Sequence, residues 1–286
     1  MVTMNQISCV IVTYNTDENI FKVVDSVYKQ VDKVIIVDNG SKKCTKLLLQ
    51  NLSKEYDIKI IYNNKNMGIA TAINMGIKEA KKYNSKWVLT LDHDSIVNKD
   101  MISNMLKYYI SLNESQKEKV GIISPEVLDV SINKSFYKVS DDKDYEEQES
   151  VIQSGALIKA DLFDKLGYFN EDLFIYFVDI EFCLKIVKSG YKIIMVRGAK
   201  LFHEEGKKER KKFLGLEFTY DNYSIQAIYY ITRNAIYMFK KYRRYEFLKR
   251  VIYDFIKILL AEPKKLQYTF IGIKDGVFDK LGSKEF

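Results

Sequence analysis

The chain has 286 residues, 47% of them hydrophobic and 29% charged, with a formal net charge of +7. These fractions are typical of globular proteins and exclude disorder over most of the length, while the basic excess is compatible with phosphorylated or lipid partners. The three cysteines show no pairing spacing, no signal peptide is recognisable, and no stretch approaches the roughly 18 apolar residues of a membrane span, so we expect a reduced, cytoplasmic chain without a transmembrane helix.

Short apolar segments alternate with segments of helical period over the first hundred residues. The apolar segments are rich in β-branched residues and end in polar ones, which is typical of buried strands. The predicted strands are ISCVIVTYN, VDKVIIVDNGS, IKIIYNN and KWVLTLDHDS, and the predicted helices are TDENIFKVVDSVYKQ, KKCTKLLLQNLSKEY and NMGIATAINMGIKEAKKY. This alternation predicts an α/β fold with a mostly parallel sheet flanked by helices.

Polar residues follow each of these predicted strands. Ligands of parallel sheets bind at the carboxyl ends of the strands, so we expect these residues to meet along one edge. They are Thr13, Tyr14 and Asn15, then Asp38 and Asn39, then Asn63 to Asn66, and finally Asp92 and Asp94.

The pattern is less regular beyond residue 100. SLNESQKEK and the acidic SDDKDYEEQES, both between residues 111 and 150, are predicted to be exposed loops. After them, SVIQSGALI and YKIIMV are predicted strands, and ADLFDKLG and DIEFCLKIVKSG are predicted helices.

The last part of the chain is basic, aromatic and helical in period. Tyr245, Leu248, Ile252, Phe255 and Leu259 fall on one face of a predicted helix, and Arg243, Glu246, Arg250, Asp254 and Lys257 fall on another. Such a helix can lie on an anionic membrane, or it can pack on the protein with its basic face in solvent. The sequence leaves both alternatives open.

Asp92 and Asp94 end the fourth predicted strand and are separated by His93. Alternate residues of an extended segment face opposite sides, so a bend after Leu91 is needed to direct both carboxylates at one ligand. Mg²⁺ and Mn²⁺ prefer carboxylate oxygens and often keep substrate phosphates as further ligands. At the end of a buried strand, this pattern favours a metal site over a merely acidic loop.

Seven segments occur in a fixed order along the chain: VIVTYN, VDNGS, NKNMGIATAINMGI, LTLDHDS, SGALI, LFIYFVDIEFCLK and LFHEEG. Together they resemble the motifs of family 2 glycosyltransferases with the GT-A fold, and most of all those of bacterial rhamnosyltransferases. The resemblance implies a GT-A (Rossmann-like) catalytic domain at 1–206, with a nucleotide-sugar half at about 1–100 and an acceptor half at about 101–206. Residues 207–286 are then a C-terminal helical extension.

The resemblance also implies roles for the acidic and histidine residues. Asp94 and His203 are expected to bind Mg²⁺ or Mn²⁺, and Asp92 to contact the metal or the ribose of the donor. His93 is expected to take no part in metal binding. The residues expected at the nucleotide sugar are Thr13, Tyr14, Asn15, Asp38, Asn66, Gly68 and Asp92.

An inverting sugar transfer needs one base that accepts the proton of the acceptor hydroxyl. The resemblance implies Asp179 for this role, although an aspartate at a helix start is also a common cap. Glu181 is expected to orient the acceptor or the base. Arg233, in the segment YYITRN, is expected to contact a lipid phosphate or a loop that closes over the site.

The implied activity is an inverting, metal-dependent transfer of a sugar, such as L-rhamnose from dTDP-rhamnose, to a saccharide acceptor on polyprenyl diphosphate, for cell-surface polysaccharide synthesis at the inner membrane face. A UDP-hexose donor is the alternative within the same fold. A nucleotidyltransferase is disfavoured because the acidic TYNTDEN replaces a glycine-rich basic loop. A non-catalytic nucleotide- or membrane-binding protein does not require Asp94, His203 and Asp179 together. Nucleic acid is not an expected partner, because no binding motif accompanies the basic residues.

Overall fold

The computed structural model describes residues 6–129, 134–203, 209–213, 216–220 and 222–286. The chain divides into two compact units, one formed by Met1–Phe169 with Phe182–Glu204 and the other by Asn170–Glu181 with Glu205–Phe286. The segment that carries Asp179 therefore groups with the C-terminal helices. The domain boundary expected after residue 206 stays a prediction.

The first unit is built around a mixed sheet with helices. Its strands are β1 (Ile7–Thr13), β2 (Lys33–Asp38), β3 (Ile58–Tyr62), β4 (Trp87–Asp92), β5 (Ile96–Val97), β6 (Val120–Asp129), β7 (Lys134–Tyr137), β8 (Tyr145–Gln148), β9 (Leu157–Lys159) and β10 (Lys192–His203). The helices are α1 (Asn19–Tyr28), α2 (Lys43–Glu55), α3 (Ile69–Lys82), α4 (Met101–Ser111), α5 (Glu114–Lys119), α6 (Leu162–Leu166) and α7 (Val178–Lys188), whose first residues belong to the second unit.

The sheet runs in the order β3-β2-β1-β4-β9-β6-β10-β5, with β7 on β6 and β8 on β10. The four strands predicted from the first hundred residues are parallel neighbours, which confirms the α/β expectation. Every residue of β1 is buried, because helices cover both faces of a parallel sheet of this kind. The pairing sets Thr13 opposite Asp38 and Val12 opposite Asp92, so the carboxyl ends of β1, β2 and β4 lie at one level.

For three segments in the middle of the chain, the predicted type or extent of secondary structure is wrong. SLNESQKEK contains α5, which starts at a capping box made by Asn113 and Gln116. SDDKDYEEQES contains β8, which pairs antiparallel with β10 and alternates exposed and half-buried residues. In SVIQSGALI only the end is a strand, because the chain turns at Gly155, where φ is +82°.

The second unit contains a hairpin of β11 (Glu209–Phe213) and β12 (Leu216–Tyr220) and three helices, α8 (Ile225–Tyr242), α9 (Glu246–Ala261) and α10 (Leu266–Val277). Short 3-10 turns lie at Glu171–Leu173 and Pro263–Lys265. Gly272 and Gly276 let α10 approach α8 closely, because a Cβ at either position would lie within 2.8 Å of an α8 carbonyl oxygen. Within the described residues, no helix is both long and apolar enough to cross a bilayer.

Helix α9 exposes apolar residues and buries a charge. Its buried residues are Phe247, Val251, Asp254 and Ile258, whereas Tyr245, Ile252 and Leu259 of the predicted apolar stripe are exposed, as is Ile256. Arg250, from the predicted basic face, instead pairs through Nε with the buried Asp254 carboxylate at 2.6 Å. The predicted apolar stripe is therefore not the face that α9 buries, and the choice between membrane binding and packing with a solvated basic face stays a prediction.

Candidate functional site

Asp92, Asp94 and His203 form one cluster at the carboxyl end of β4. Each offers one ligand atom, and these atoms all lie within 4.8 Å of one another. Asp92 is the last residue of β4, and the chain turns at residues 93–94, one residue later than the expected bend. The sequence then forms β5, which pairs with the end of β10 and so brings His203 beside the turn.

Three neighbouring side chains orient this cluster. The Ser95 hydroxyl lies 2.9 Å from His203 Nδ1, and the Ser154 hydroxyl donates to Ser95 Oγ at 2.8 Å. Ser154 Oγ also accepts the Asp92 backbone amide at 3.0 Å, while Gln153 Nε2 donates to the Asp92 carboxylate. The sequence interpretation missed these residues, because the apolar run around Gln153 and Ser154 looked like a continuous strand.

Asp94 and His203 attract each other electrostatically. Their Oδ1 and Nδ1 atoms are 3.5 Å apart. Burial alone would raise the pKa of Asp94, but the hydrogen bond and charge of His203 outweigh it and hold that pKa below its usual value. The hydrogen bond to Asp94 raises the pKa of His203 above its usual value. A metal ion requires the neutral imidazole, so metal binding and protonation of His203 at the same nitrogen exclude each other.

The chemistry of the cluster fits a divalent cation. Two carboxylates and one imidazole are ligands that Mn²⁺ and Mg²⁺ accept, and the hydrogen bonds of Ser95 to His203 and of Gln153 to Asp92 orient two of the three. Asp94 remains 54% exposed in its side chain, which leaves room for further ligands from a substrate. His93, expected to be a bystander, lies outside the cluster found among the described residues.

The ends of β1 and β2 form a second polar group. Thr13 donates its hydroxyl to Asp38 Oδ1 at 3.3 Å, and the Ser41 amide donates to Asp38 Oδ2 at 3.2 Å. Asn15, with φ of +52°, accepts the Lys42 amide, and its own amide donates to Ser41 Oγ at 2.8 Å. Asp38 is fully buried, and both of its carboxylate oxygens accept these hydrogen bonds. Its expected contact with a pyrimidine stays a prediction.

Asn39 was predicted to lie at this edge but was given no role at the nucleotide sugar, and it is the centre of a network of hydrogen bonds. Its amide donates to Asn66 Oδ1 at 3.0 Å and to the Gly68 carbonyl at 3.2 Å, and its Oδ1 accepts from Asn63 and from the Met67 amide. These bonds join the end of β2 to the turn before α3 and bring the predicted residues Asn66 and Gly68 to the same edge. The signal in the sequence was the run of asparagines that follows two strands.

Two further features shape this edge. Gly40 has φ of +82°, and a Cβ there would lie 2.3 Å from the Lys65 backbone, so only glycine allows the two turns to touch. Tyr14 is 46% exposed beside the end of β1, which leaves its ring available for stacking against a ligand. The residues predicted at the nucleotide sugar in the first unit therefore group at the ends of β1, β2 and β4 and in the turn before α3.

Asp179, Glu181 and Arg233 all belong to the second unit. Asp179 is half-buried in the first turn of α7, where the unpaired backbone amides favour a negative charge, and its Oδ1 accepts the Ile180 amide at 2.8 Å. Glu181 is buried and its Oε1 accepts from Lys241 at 2.7 Å and from the Tyr242 hydroxyl at 2.9 Å. Burial and the neighbouring Glu181 raise the pKa of Tyr242, so its phenol stays neutral.

Arg233 does not offer its guanidinium to solvent. The residue is 0% exposed, and the described contacts of its guanidinium are with carbonyl oxygens and with the rings of Tyr229 and Tyr230. The expected contact with a lipid phosphate is therefore wrong, because no surface of this side chain can reach one. Arg233 instead donates hydrogen bonds to backbone carbonyls of Asp172 and Leu173, in the segment that precedes Asp179.

Comparison with known proteins adds independent findings. The model of the family described as glycosyl transferase family 2 matches residues 8–167. The dTDP-rhamnosyl transferase RfbF of Shigella flexneri is 26% identical over 252 residues, which cover 83% of this chain and 81% of that protein. The low-salt glycan biosynthesis hexosyltransferase Agl10 of Haloferax volcanii is 27% identical over 66% of this chain and 64% of its own length.

Solved structures show the same fold. The mannosyltransferase PcManGT from Pyrobaculum calidifontis, in complex with GDP-Man and Mn²⁺, superposes with a TM-score of 0.61 at 17% identity, over 99% of this chain and 77% of its own. GalNAc-T7 with UDP, GalNAc and Mn²⁺ superposes with a TM-score of 0.62 at 17% identity over 82% of this chain. This chain spans about half of the GalNAc-T7 chain, 48%.

Proposed function

The chain belongs to glycosyl transferase family 2, and we propose that it is an inverting, metal-dependent transferase that moves L-rhamnose from dTDP-rhamnose to a lipid-linked saccharide in cell-surface polysaccharide synthesis. The observation that carries the metal-dependent part is the cluster of Asp92, Asp94 and His203. The similarity to a dTDP-rhamnosyl transferase over 83% of the chain supports the choice of donor.

The donor is proposed to lie along the edge formed by the ends of β1, β2 and β4. Thr13, Asn15 and Asp38 would surround the base, and the α3 N-terminus after Gly68 would favour phosphate or sugar oxygens. Asp94 and His203 would hold Mn²⁺ or Mg²⁺, with Asp92 beside them. A divalent cation bound there supplies positive charge for the departing diphosphate.

Asp179 is proposed to accept the proton of the acceptor hydroxyl. The free amides and the dipole at the start of a helix favour a negative charge in its first turn, where Asp179 lies. One base is sufficient for an inverting displacement, because the nucleoside diphosphate leaves from the opposite face of the sugar. Asp179 is the second residue of α7, so it lies inside the helix and is not its cap.

The exposed apolar residues of the C-terminal helices support a membrane-bound acceptor. We define the outer face as Ile252, Ile256 and Leu259 of α9 with Phe270 and Val277 of α10, all of which are exposed. Phe255 and Phe270 contact edge to face, with ring centroids 5.9 Å apart, so the two helices contribute to one surface. Exposed apolar patches of this kind mark protein or membrane contacts.

Charge argues for an anionic bilayer as the partner of the outer face. The exposed lysines Lys249, Lys264 and Lys274 lie on or beside the same helices. Inserting one Leu or Ile side chain contributes about 1.5–3 kcal/mol, and each basic residue near an anionic surface about 1 kcal/mol. The proposed site of action is thus the cytoplasmic membrane surface, where polyprenyl-linked acceptors are held.

A panel of nucleotide sugars tests the proposed function. The protein is incubated with Mn²⁺ or Mg²⁺ and with dTDP-L-rhamnose, UDP-glucose, UDP-galactose, UDP-N-acetylglucosamine or GDP-mannose, and release of the nucleoside diphosphate is measured. We expect turnover of dTDP-L-rhamnose that stops when the metal is chelated. Preference for a UDP-hexose would replace the proposed donor, and turnover of none, with or without lipid-linked acceptor extracts, would contradict a transferase function.

A further inference from the structure

The segment that precedes α7 has a backbone that ordinary side chains rarely adopt. Phe174 has φ of 64° and ψ of −62°, and the Ile175 amide donates to the Leu173 carbonyl at 2.7 Å, which makes a γ-turn of the rare positive-φ type. Tyr176 and Phe177 follow with φ of 64° and 62°, in the left-handed region that favours glycine. Three bulky residues at positive φ within four positions persist only where surrounding contacts hold them.

Asn234 of α8 holds three carbonyl oxygens of this segment. Its Nδ2 donates to the carbonyls of Leu173, Ile175 and Tyr176 at 3.0, 2.8 and 2.9 Å. Asn234 is 0% exposed, so water does not compete for these bonds. One amide group therefore fixes the positions of three of the strained peptide units.

Arg233 supports the same segment and orients the amide. Its Nε donates to Asn234 Oδ1 at 2.8 Å, which turns the amide so that its NH₂ group faces the carbonyls. Its Nη2 donates to the carbonyls of Leu173 at 2.8 Å and Asp172 at 3.2 Å, and its Nη1 donates to the Gly282 carbonyl at 2.5 Å. The planar guanidinium can donate to these four oxygens at the same time, because its N–H groups point in fixed directions. A lysine ammonium group on a flexible chain does not have this fixed geometry.

We infer that Arg233 and Asn234 are positioning residues that place the carboxylate of Asp179 by holding the strained turn before α7. The Phe177 carbonyl accepts the Glu181 amide at 2.8 Å, so the last strained residue forms the first bond of the helix. Asp179 follows two residues later, and any rotation within the turn moves it. The inference rests on the proposed function, because it assigns these residues to the orientation of the proposed base.

The test compares single and double variants in the donor-turnover assay with dTDP-L-rhamnose and Mn²⁺. Asn234→Asp keeps the shape of the side chain but directs a carboxylate oxygen at three carbonyls. A displacement of about 1 Å at a reacting group costs roughly 100-fold in rate, so we expect kcat to fall about 10- to 100-fold. The Kd of dTDP with Mn²⁺, measured by calorimetry, is expected to stay within about twofold. Arg233→Lys is expected to lower kcat in the same way.

A double variant separates positioning from a purely structural role. If Asn234 acts through Asp179, the variant Asp179→Asn/Asn234→Asp is no slower than Asp179→Asn alone, whereas independent effects multiply. Tyr220→Phe is the matched control, because it removes the 2.6 Å hydrogen bond to Glu262 in the same unit without touching the turn, and it is expected to lower Tm without lowering kcat.

The outcomes are distinguishable. Asn234→Ala, which removes the three hydrogen bonds of the amide without repelling the carbonyls, is used if Asn234→Asp does not fold. Faster amide hydrogen exchange over residues 172–180 is expected in this variant. Multiplicative losses in the double variant, unchanged kcat, or unchanged exchange would overturn the inference while the proposed function stands. Wild-type protein that turns over no donor would overturn the proposed function and the inference with it.

Discussion

His203 Nδ1 lies 3.5 Å from Asp94 Oδ1, although the two residues are more than one hundred positions apart in the chain. Strand pairing brings them together, because β5 begins two residues after Asp94 and pairs with β10 so that Phe202 lies opposite Ile96. The histidine is thus held by the sheet, and the carboxylate by the turn that precedes β5. A site whose ligands come from rigid elements is pre-organised for a cation.

Removal of the Asp94 charge is expected to weaken metal binding. Asp94→Asn keeps the size of the side chain but loses the charged oxygen that Mn²⁺ prefers, and we expect its Mn²⁺ affinity to fall at least about tenfold. Titration of Mn²⁺ in the presence of dTDP, followed by electron paramagnetic resonance, measures this. His93→Gln is the control and is expected to bind as the wild type does. Equal affinity of Asp94→Asn and wild type would exclude Asp94 as a ligand.

Loss of the Ser95 hydroxyl is expected to weaken the metal site without removing a ligand. Ser95 Oγ lies 2.9 Å from His203 Nδ1 and fixes the orientation of the ring. Loss of such an outer-shell partner typically costs 10–100-fold in metal affinity, so we expect a decrease of about this size for Ser95→Ala. Ser103→Ala, on the exposed surface of α4, is the control. An unchanged affinity in Ser95→Ala would show that the sheet alone orients His203.

The sequence predicted the half of the fold in which local patterns agree with tertiary structure. The strands β1, β2 and β4 are mostly apolar and almost entirely buried, whereas β3, at the edge of the sheet, is half-buried or exposed. All four are short runs rich in β-branched residues, which distinguishes them from the longer helices between them. Asp94 and His203 were also found, because their motifs follow strands. Gln153 and Ser154 were missed, since a short apolar run does not reveal that Gly155 turns the chain before β9 begins.

The orientation of α9 could not be predicted from its sequence. Phe247, Val251 and Ile258 lie on one face and Ile252, Ile256 and Leu259 on the other, so apolar residues recur at helical spacing on both. The period alone cannot decide which face is buried. The structure buries the face that contains Phe247, Val251 and Ile258, and Asp254 on that face pairs with Arg250.

Conversion of Asp179 to asparagine is expected to separate donor binding from catalysis. The amide cannot accept the proton of the acceptor hydroxyl, whereas the proposed donor contacts lie on other residues. We expect kcat to fall by at least about 100-fold, the usual contribution of a positioned general base, while dTDP binding with Mn²⁺ is retained. Steady-state turnover and calorimetry measure the two quantities. A wild-type rate in this variant would remove Asp179 from the role of base.

The pairing of Lys241 with Glu181 predicts an asymmetric effect on stability. Burial lowers the pKa of Lys241, but the hydrogen bond and charge of Glu181 outweigh it, so the pKa is raised. Lys241→Met leaves the Glu181 carboxylate in the interior without its cation, and removal of one partner of a buried pair costs about 3–5 kcal/mol. Because the Lys241 side chain is 38% exposed, solvent screens the pair and we expect about 1–2 kcal/mol.

Urea denaturation measures this effect, and Glu181→Gln/Lys241→Met supplies the comparison. Replacing both charges leaves no buried ion unpaired, so the double variant is expected to be more stable than Lys241→Met alone. Lys249→Met, which changes an exposed lysine on α9, controls for the substitution itself. If Lys241→Met is as stable as this control, the hydrogen bond from the Tyr242 hydroxyl is sufficient for the Glu181 carboxylate and the ion pair contributes nothing measurable.

The outer face predicts binding to anionic membranes that depends on both its apolar and its basic residues. In the triple variant Ile252→Gln/Ile256→Gln/Leu259→Gln, the side chains remain large but no longer favour the bilayer interior, and each loses about 1.5 kcal/mol or more of insertion energy. We expect the affinity for phosphatidylglycerol vesicles, measured by sedimentation, to fall more than tenfold. The Tm should change little, because these residues are exposed. Replacing Lys249, Lys264 and Lys274 with Gln is expected to remove the part of binding that salt weakens.

Ile110→Gln, which changes an equally exposed apolar residue of α4 in the first unit, is the matched control and is expected to sediment as the wild type does. The outer face has a different partner if the triple variant binds vesicles normally. In that case light scattering tests for a dimer. A wild-type dimer that dissociates in the triple variant would identify the outer face as a contact between copies of this chain.

Neutral phosphatidylcholine vesicles separate the contribution of apolar insertion from that of the lysines, because only apolar insertion acts on a neutral surface. Strong wild-type binding to these vesicles would show that the lysines are not required.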